Sequence, residues 1–130
     1  MEIFKSQVAE DVVKLSMGAE LSEDDRSVSG TIEMDIENQS KFMDRVNSLL
    51  LDENISNILV DLSQIAYIDS SGLWALFEGH KKASQKNGKL ILLSPNSDVR
   101  RVLDITKMSK KIEIYDSEQD ALGSFNKRAV

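Results

Sequence analysis

Asp69-Ser70-Ser71-Gly72 sets a carboxylate, two hydroxyls and a residue without a side chain in four consecutive positions. A serine hydroxyl can accept a backbone N–H bond, attack a carbonyl if a base activates it, or take a phosphoryl group. The run lies where an apolar segment gives way to a helical pattern carrying Leu73, Leu76 and Phe77, so it falls at a predicted helix N-terminus. Ser70 or Ser71 can cap that helix by accepting its first free N–H groups. Gly72 would let another molecule approach the backbone closely. A phosphate is well tolerated at such a place, because the helix dipole and free N–H groups favour an anion. It would add a charge of about −2 and change what the surface can touch.

Other chemistry meets obstacles. A serine hydrolase needs a base and an orienting acid, yet His80, the one histidine, lies more than two helical turns beyond Ser70. There is no Gly-x-Ser-x-Gly elbow, no Walker loop and no kinase signature, which predicts a protein that is not an enzyme and binds no cofactor. With no cysteine, thiolate nucleophiles, disulfides and cysteine-ligated metals are excluded. Asp69 at a segment end invites comparison with the phosphoacceptor of a receiver domain. Asp24-Asp25 is poorly placed as a receiver's magnesium-holding pair, and no lysine directly follows residues 112–115.

The elements that must position Ser70 are legible from apolar periodicity. Residues 3–8 and 12–17 read as a hairpin, the second half alternating apolar and polar. Residues 18–30, with Glu20, Glu23, Asp24 and Asp25, read as an acidic surface-loop insertion and lack calcium-loop spacing. Ser40 can cap a helix whose inner face carries Phe42, Val46, Leu49 and Leu50. Residues 58–62 and 89–93 are nearly continuous apolar runs, as expected of strands covered on both faces. The helix after Ser71 stops at Asn87-Gly88, where glycine tolerates a left-handed turn. Ser97 can cap a helix with Val99, Val102 and Leu103 inward; residues 112–115 form a last strand, and Ser117 opens a final helix with Ala121, Leu122 and Phe125. The order predicts one α/β domain over residues 1–130 with a short tail at 126–130. Its mixed central β-sheet combines an N-terminal antiparallel hairpin with parallel strands, packed with about four α-helices.

Charge narrows the partners. Twenty-two acids against 16 bases give a net charge of −6, which repels nucleic-acid phosphates; the basic pairs Lys81-Lys82, Arg100-Arg101, Lys110-Lys111 and Lys127-Arg128 are short. No apolar run approaches bilayer-spanning length, and the first five residues lack a signal-peptide layout, so the expectation is a cytoplasmic protein that binds neither nucleic acid nor membrane. The exposed edge of the hairpin is open to pairing with a second copy as a homodimer.

Residues 58–73, a buried strand ending in Asp-Leu-Ser followed by Tyr67-Ile68-Asp69-Ser70-Ser71-Gly72-Leu73, resemble the signature of the STAS family, whose members include bacterial anti-sigma-factor antagonists. Asn87-Gly88-Lys89-Leu90-Ile91-Leu92, the helix end from Val99 to Met108 and residues 112–122 continue the resemblance over about residues 55–125. It implies the STAS fold, phosphorylation of Ser70 (Ser71 being the alternative) and partner contacts from Asp69, Ser70, Ser71, Gly72, Leu73 and Trp74. The implied partners are a serine protein kinase that doubles as anti-sigma factor and binds the unphosphorylated form, and a PP2C-type phosphatase that removes the phosphate. The family also includes scaffolds and partner-switch proteins with a non-sigma output, in stressosome, biofilm or secretion signalling, an alternative use of the same fold. Two features depart from the pattern. Trp74 stands where the family has a small residue and reads as helix packing, with an interface anchor as the alternative. The glycine-acid element has two imperfect counterparts, at Gly18 and Gly30, bracketing the insertion.

Overall fold

Apolar runs of strand length with no polar alternation must be covered from both sides, and the two most apolar runs form the centre of the sheet. The computed structural model describes residues 2–18, 32–35 and 38–126. Strands β1 (Glu2–Ala9) and β2 (Val12–Gly18) make an antiparallel hairpin; β2 pairs in parallel with β4 (Asn57–Asp61), β4 with β6 (Lys89–Leu93), and β6 with β7 (Ile114–Tyr115). The five-stranded order is β1-β2-β4-β6-β7. A separate parallel ladder joins β3 (Ile32–Met34) to β5 (Ile65–Ile68).

Side-chain alternation along β4 and β6 supplies two cores. Ile58, Val60, Leu90 and Leu92 pack with Phe42 and Val46 of α1 (Gln39–Asn47), Leu76 of α2 (Ser70–Gln85) and Leu103 of α3 (Ser97–Ile105). Leu59, Ile91 and Leu93 point the other way, onto Ala121 and Phe125 of α4 (Glu118–Asn126). The mixed sheet and its four helices are thus as the sequence predicts. Leu49 and Leu50 are buried too, through a π-helical turn (Ser48–Asp52) that extends α1.

Several boundaries differ. Helix α1 starts at Gln39, so Ser40 lies inside its first turn, and the N–H of Asn38 donates instead to Asp35 Oδ1 at 3.1 Å. Helix α3 is capped by Asn96, not Ser97: Asn96 Oδ1 accepts from the Val99 N–H at 2.8 Å. At the end of α2 the left-handed residue is Asn87, with φ 64°. Gly88 is needed for a different reason, since a side chain there would run into the carbonyl oxygen of Ser56. The last strand covers only two of the four predicted residues, Ile112 being taken into the core. Neither β3 nor β5 is predicted. The acidic insertion at 18–30 lies, but for Gly18, outside the described residues, as do residues 127–130 of the tail.

Among the described residues β1 pairs only with β2, and Phe4, Lys5, Ser6 and Gln7 are all exposed along its free edge. Lys5 Nζ sits 2.9 Å from the carboxylate of Glu53, tying that edge to the chain after the π-helical turn. No helix among the described residues is long and apolar enough to cross a membrane.

Candidate functional site

The Ser70 site is a helix start held from below by the small β3–β5 ladder. Strand β5 ends at Ile68, and the N–H of Asp69 donates to the Met34 carbonyl oxygen of β3 at 3.2 Å. The chain then turns into α2 over Gly72, which packs flat on Met34. A Cβ at Gly72 would strike the Met34 carbonyl oxygen and stand 2.7 Å from Ile68 Cγ1. The close backbone approach expected there is therefore made by the chain's own β3. Leu73 is likewise buried and anchors the first turn in the core.

Capping falls to Asp69. Its Oδ1 accepts the Gly72 N–H at 3.0 Å, and its carbonyl accepts the Leu73 N–H at 3.0 Å. Both serines are relieved of the capping role that the sequence offered them. Ser70 is exposed, and its hydroxyl makes no hydrogen bond to any described residue. Ser71 is half-buried. The backbone N–H groups of Ser70 and Ser71 have no acceptor among the described residues, so the positive end of a 16-residue helix dipole opens at the free hydroxyl.

Two aromatics flank the serine. Trp74, one turn along the same face of α2, is 52% exposed, and Tyr67, three residues before Ser70, is 53% exposed. Packing explains neither exposure, contrary to the reading of Trp74 as a core-side residue. Tyr67 was named only within the motif; its signal was an aromatic in a segment whose flanking residues, Ile65 and Ile68, are both buried. Asn96 steadies the turn from the side: while its Oδ1 caps α3, its Nδ2 donates to the carbonyls of Ile65 at 3.1 Å and Ala66 at 3.3 Å.

His80 stands apart. It lies ten residues after Ser70, about 15 Å along the helix axis, and packs beside Phe77 with ring centroids 6.4 Å apart. Its Nδ1 is buried without a hydrogen-bond partner among the described residues. Burial lowers its pKa, partly offset by the charge of Glu113. No catalytic dyad with Ser70 is assembled.

The site is thus an exposed serine at the start of a helix packed on a mixed α/β sheet, the helix cap being supplied by the preceding aspartate. The family model of the STAS domain matches residues 19–121. The chain belongs to the STAS-domain family. With that assignment the receiver alternative for Asp69 loses its basis. A Thermotoga neapolitana protein named as an anti-sigma factor antagonist is 33% identical to this STAS domain over 120 residues, covering 92% of this chain and 95% of that protein. The crystal structure of an anti-sigma factor antagonist from Thermotoga maritima superposes with a TM-score of 0.76 at 26% identity, covering 96% of this chain and 95% of the other. The phosphorylated form of the Bacillus cell fate determinant SpoIIAA shares the fold, with a TM-score of 0.66 at 15% identity over 95% of this chain and 98% of that one.

Proposed function

We propose that this STAS domain is an anti-sigma-factor antagonist switched by phosphorylation of Ser70. Unphosphorylated, it binds an anti-sigma factor that is also a serine kinase. The Ser70 Oγ attacks the γ-phosphorus of the kinase's ATP, the new O–P bond forms as the bond to the leaving ADP breaks, and the hydroxyl proton passes to a base of the kinase. The phosphoserine no longer fits the partner, and a PP2C-type phosphatase restores the hydroxyl by hydrolysis.

The observation that carries this reading is the division of labour between Asp69 and Ser70. A serine whose hydroxyl capped its helix would be held by that hydrogen bond and less open to a kinase. Here the cap is Asp69, and Ser70 is exposed and unengaged beside two free N–H donors. A phosphate added there meets the favourable end of the helix dipole and leaves the fold intact. The names of the relatives support the antagonist role, and a solved phosphorylated form of the same fold supports phosphate as the switch. Asp69, Ser70, Ser71 and Trp74 are the direct contacts in this reading. Gly72 and Leu73, both buried, act by setting the turn.

The test is intact mass of the purified protein after incubation with ATP and lysate of its own source. One added phosphate on the wild type and none on Ser70→Ala is the expected result. Phosphate retained on Ser70→Ala would move the site to Ser71, and none on either, with an active control substrate, would remove the switch. Ser70→Asp should fold normally, an acid in the first turn being worth about 0.3–1 kcal/mol to the helix. It should bind the kinase at least about a hundredfold more weakly, through like-charge repulsion and desolvation in the interface.

A further inference from the structure

The outward face of α2 changes character along its length. At about 100° per residue, Ser70, Trp74, Phe77 and Lys81 fall within an arc of about 60°, opposite the face that buries Ala75, Leu76, Gly79 and Ala83. Beyond the serine come two aromatic rings, then charge. Lys81 Nζ lies 5.7 Å from the Phe77 ring centroid, and Lys111 Nζ, contributed by the turn after α3, lies 5.2 Å from the same ring. Two ammonium groups from distant parts of the chain are thus held against one side chain.

That arrangement runs against the charge of the molecule as a whole, which is −6. Two like charges gathered on one ring repel each other, and a carboxylate placed between them relieves the repulsion. The protein supplies little of this itself. Lys81 has only Glu78, at 3.5 Å and in an exposed pair, and Lys111 has no carboxylate within ion-pair distance among the described residues. Trp74 meanwhile offers a half-exposed indole of the kind that anchors interfaces.

We infer that the α2 stripe Trp74–Phe77–Lys81 with Lys111 docks an acidic, amphipathic segment of the partner protein, apolar side chains lying on Trp74 and Phe77 and carboxylates on Lys81 and Lys111. The inference rests on the reading of the Ser70 end of α2 as partner-facing. It adds that recognition extends along the helix away from the serine, and that the sign of the partner there is negative. A switch and a docking stripe then share one helix. The phosphate acts at one end, and affinity is set at the other.

The test uses the full chain and two synthetic amphipathic helical peptides of about 16 residues, each with a leucine and isoleucine face, one flanked by glutamates and the other by lysines. Amide chemical-shift titration gives both affinity and location, so that Trp74→Ala, which removes the chain's one tryptophan, is read in the same way as the wild type. The glutamate peptide is expected to bind, to shift amides at residues 74, 77, 81 and 111, and to weaken at least about tenfold in a Lys81→Glu/Lys111→Glu variant. Trp74→Ala should weaken it by a similar factor. Equal binding of the two peptides, shifts elsewhere on the molecule, no saturable binding, or indifference to the charge reversal would each overturn the inference. So would self-association of the chain abolished by Trp74→Ala, which would assign the stripe to a second copy. The intact-mass experiment keeps the two readings separable. Peptide binding that fails while Ser70 takes phosphate removes the docking stripe and spares the switch; the converse pair of results removes the switch and spares the stripe.

Discussion

At Asp69 and Asn96 the same substitution of roles occurs one residue apart from expectation. Sequence reasoning placed the caps of α2 and α3 on serines; in both helices the residue just before the serine, an aspartate or an asparagine, takes the cap. The Asx side chain reaches the N–H three residues ahead from the non-helical position, while the following serine already has helical backbone and cannot. The composition of the Ser70 site was therefore legible, whereas its division of labour depended on where the first helical residue falls. Asp69→Ala should cost about 1 kcal/mol and lower the melting temperature by a few degrees, with Asp69→Ser recovering most of it in a thermal melt. Gly72→Ala should cost more, about 1–3 kcal/mol, because the methyl meets the backbone of β3 and Ile68, which cannot rotate away. Denaturant titration of the two variants checks the order, and equal losses would count against the tight seat of α2 on Met34.

Elements differed in how plainly they announced themselves. Strands β4 and β6 were legible because continuous apolar runs serve two cores at once. Strands β3 and β5 were not. In Ile65-Ala66-Tyr67-Ile68 the first and last side chains are buried and Tyr67 is exposed, which breaks the period of two of a half-buried strand and matches a helical i, i+3 spacing instead. Three partner residues from β3, far away in sequence, make the segment a strand, and no local pattern records that pairing. Yet this ladder carries the Asp69 turn. Asn96 couples it to α3 through one side chain that caps the helix with its oxygen and holds β5 with its nitrogen. Asn96→Ala should lose about 2 kcal/mol, a cap together with hydrogen bonds to part-buried carbonyls. Asn96→Asp keeps the acceptor but sets a carboxylate against the two strand carbonyls. If it melts with the alanine variant, the contacts to β5 matter; if it melts with the wild type, only the cap does.

For the molecule as a whole, two side groups make stability depend on pH in the same direction. Burial lowers the pKa of His80, so the unfolded chain, whose histidine titrates near about 6.5, binds the proton more readily than the fold does. Stability then falls as the pH drops through that value. At Glu113 burial acts to raise the pKa, but hydrogen bonds from Lys89, Ser124 and Tyr115 and the charge of Lys89 outweigh it and leave it lowered. Its contribution is present above the ordinary glutamate value of about 4.3 and disappears as the pH falls through the lowered one. His80→Gln should flatten the stability profile between about pH 7 and 5 and leave the decline at lower pH, a difference visible in denaturant midpoints across that range. The free edge of β1 bears on colloidal behaviour. An eight-residue strand with exposed backbone and a bare Phe4 is a template for edge-to-edge aggregation, and Lys5 is the charge that stands in the way. Because Glu53 fixes that lysine in place, the guard is built into the fold, and Lys5→Val should shift the protein toward large scattering species at concentrations where the wild type stays dispersed.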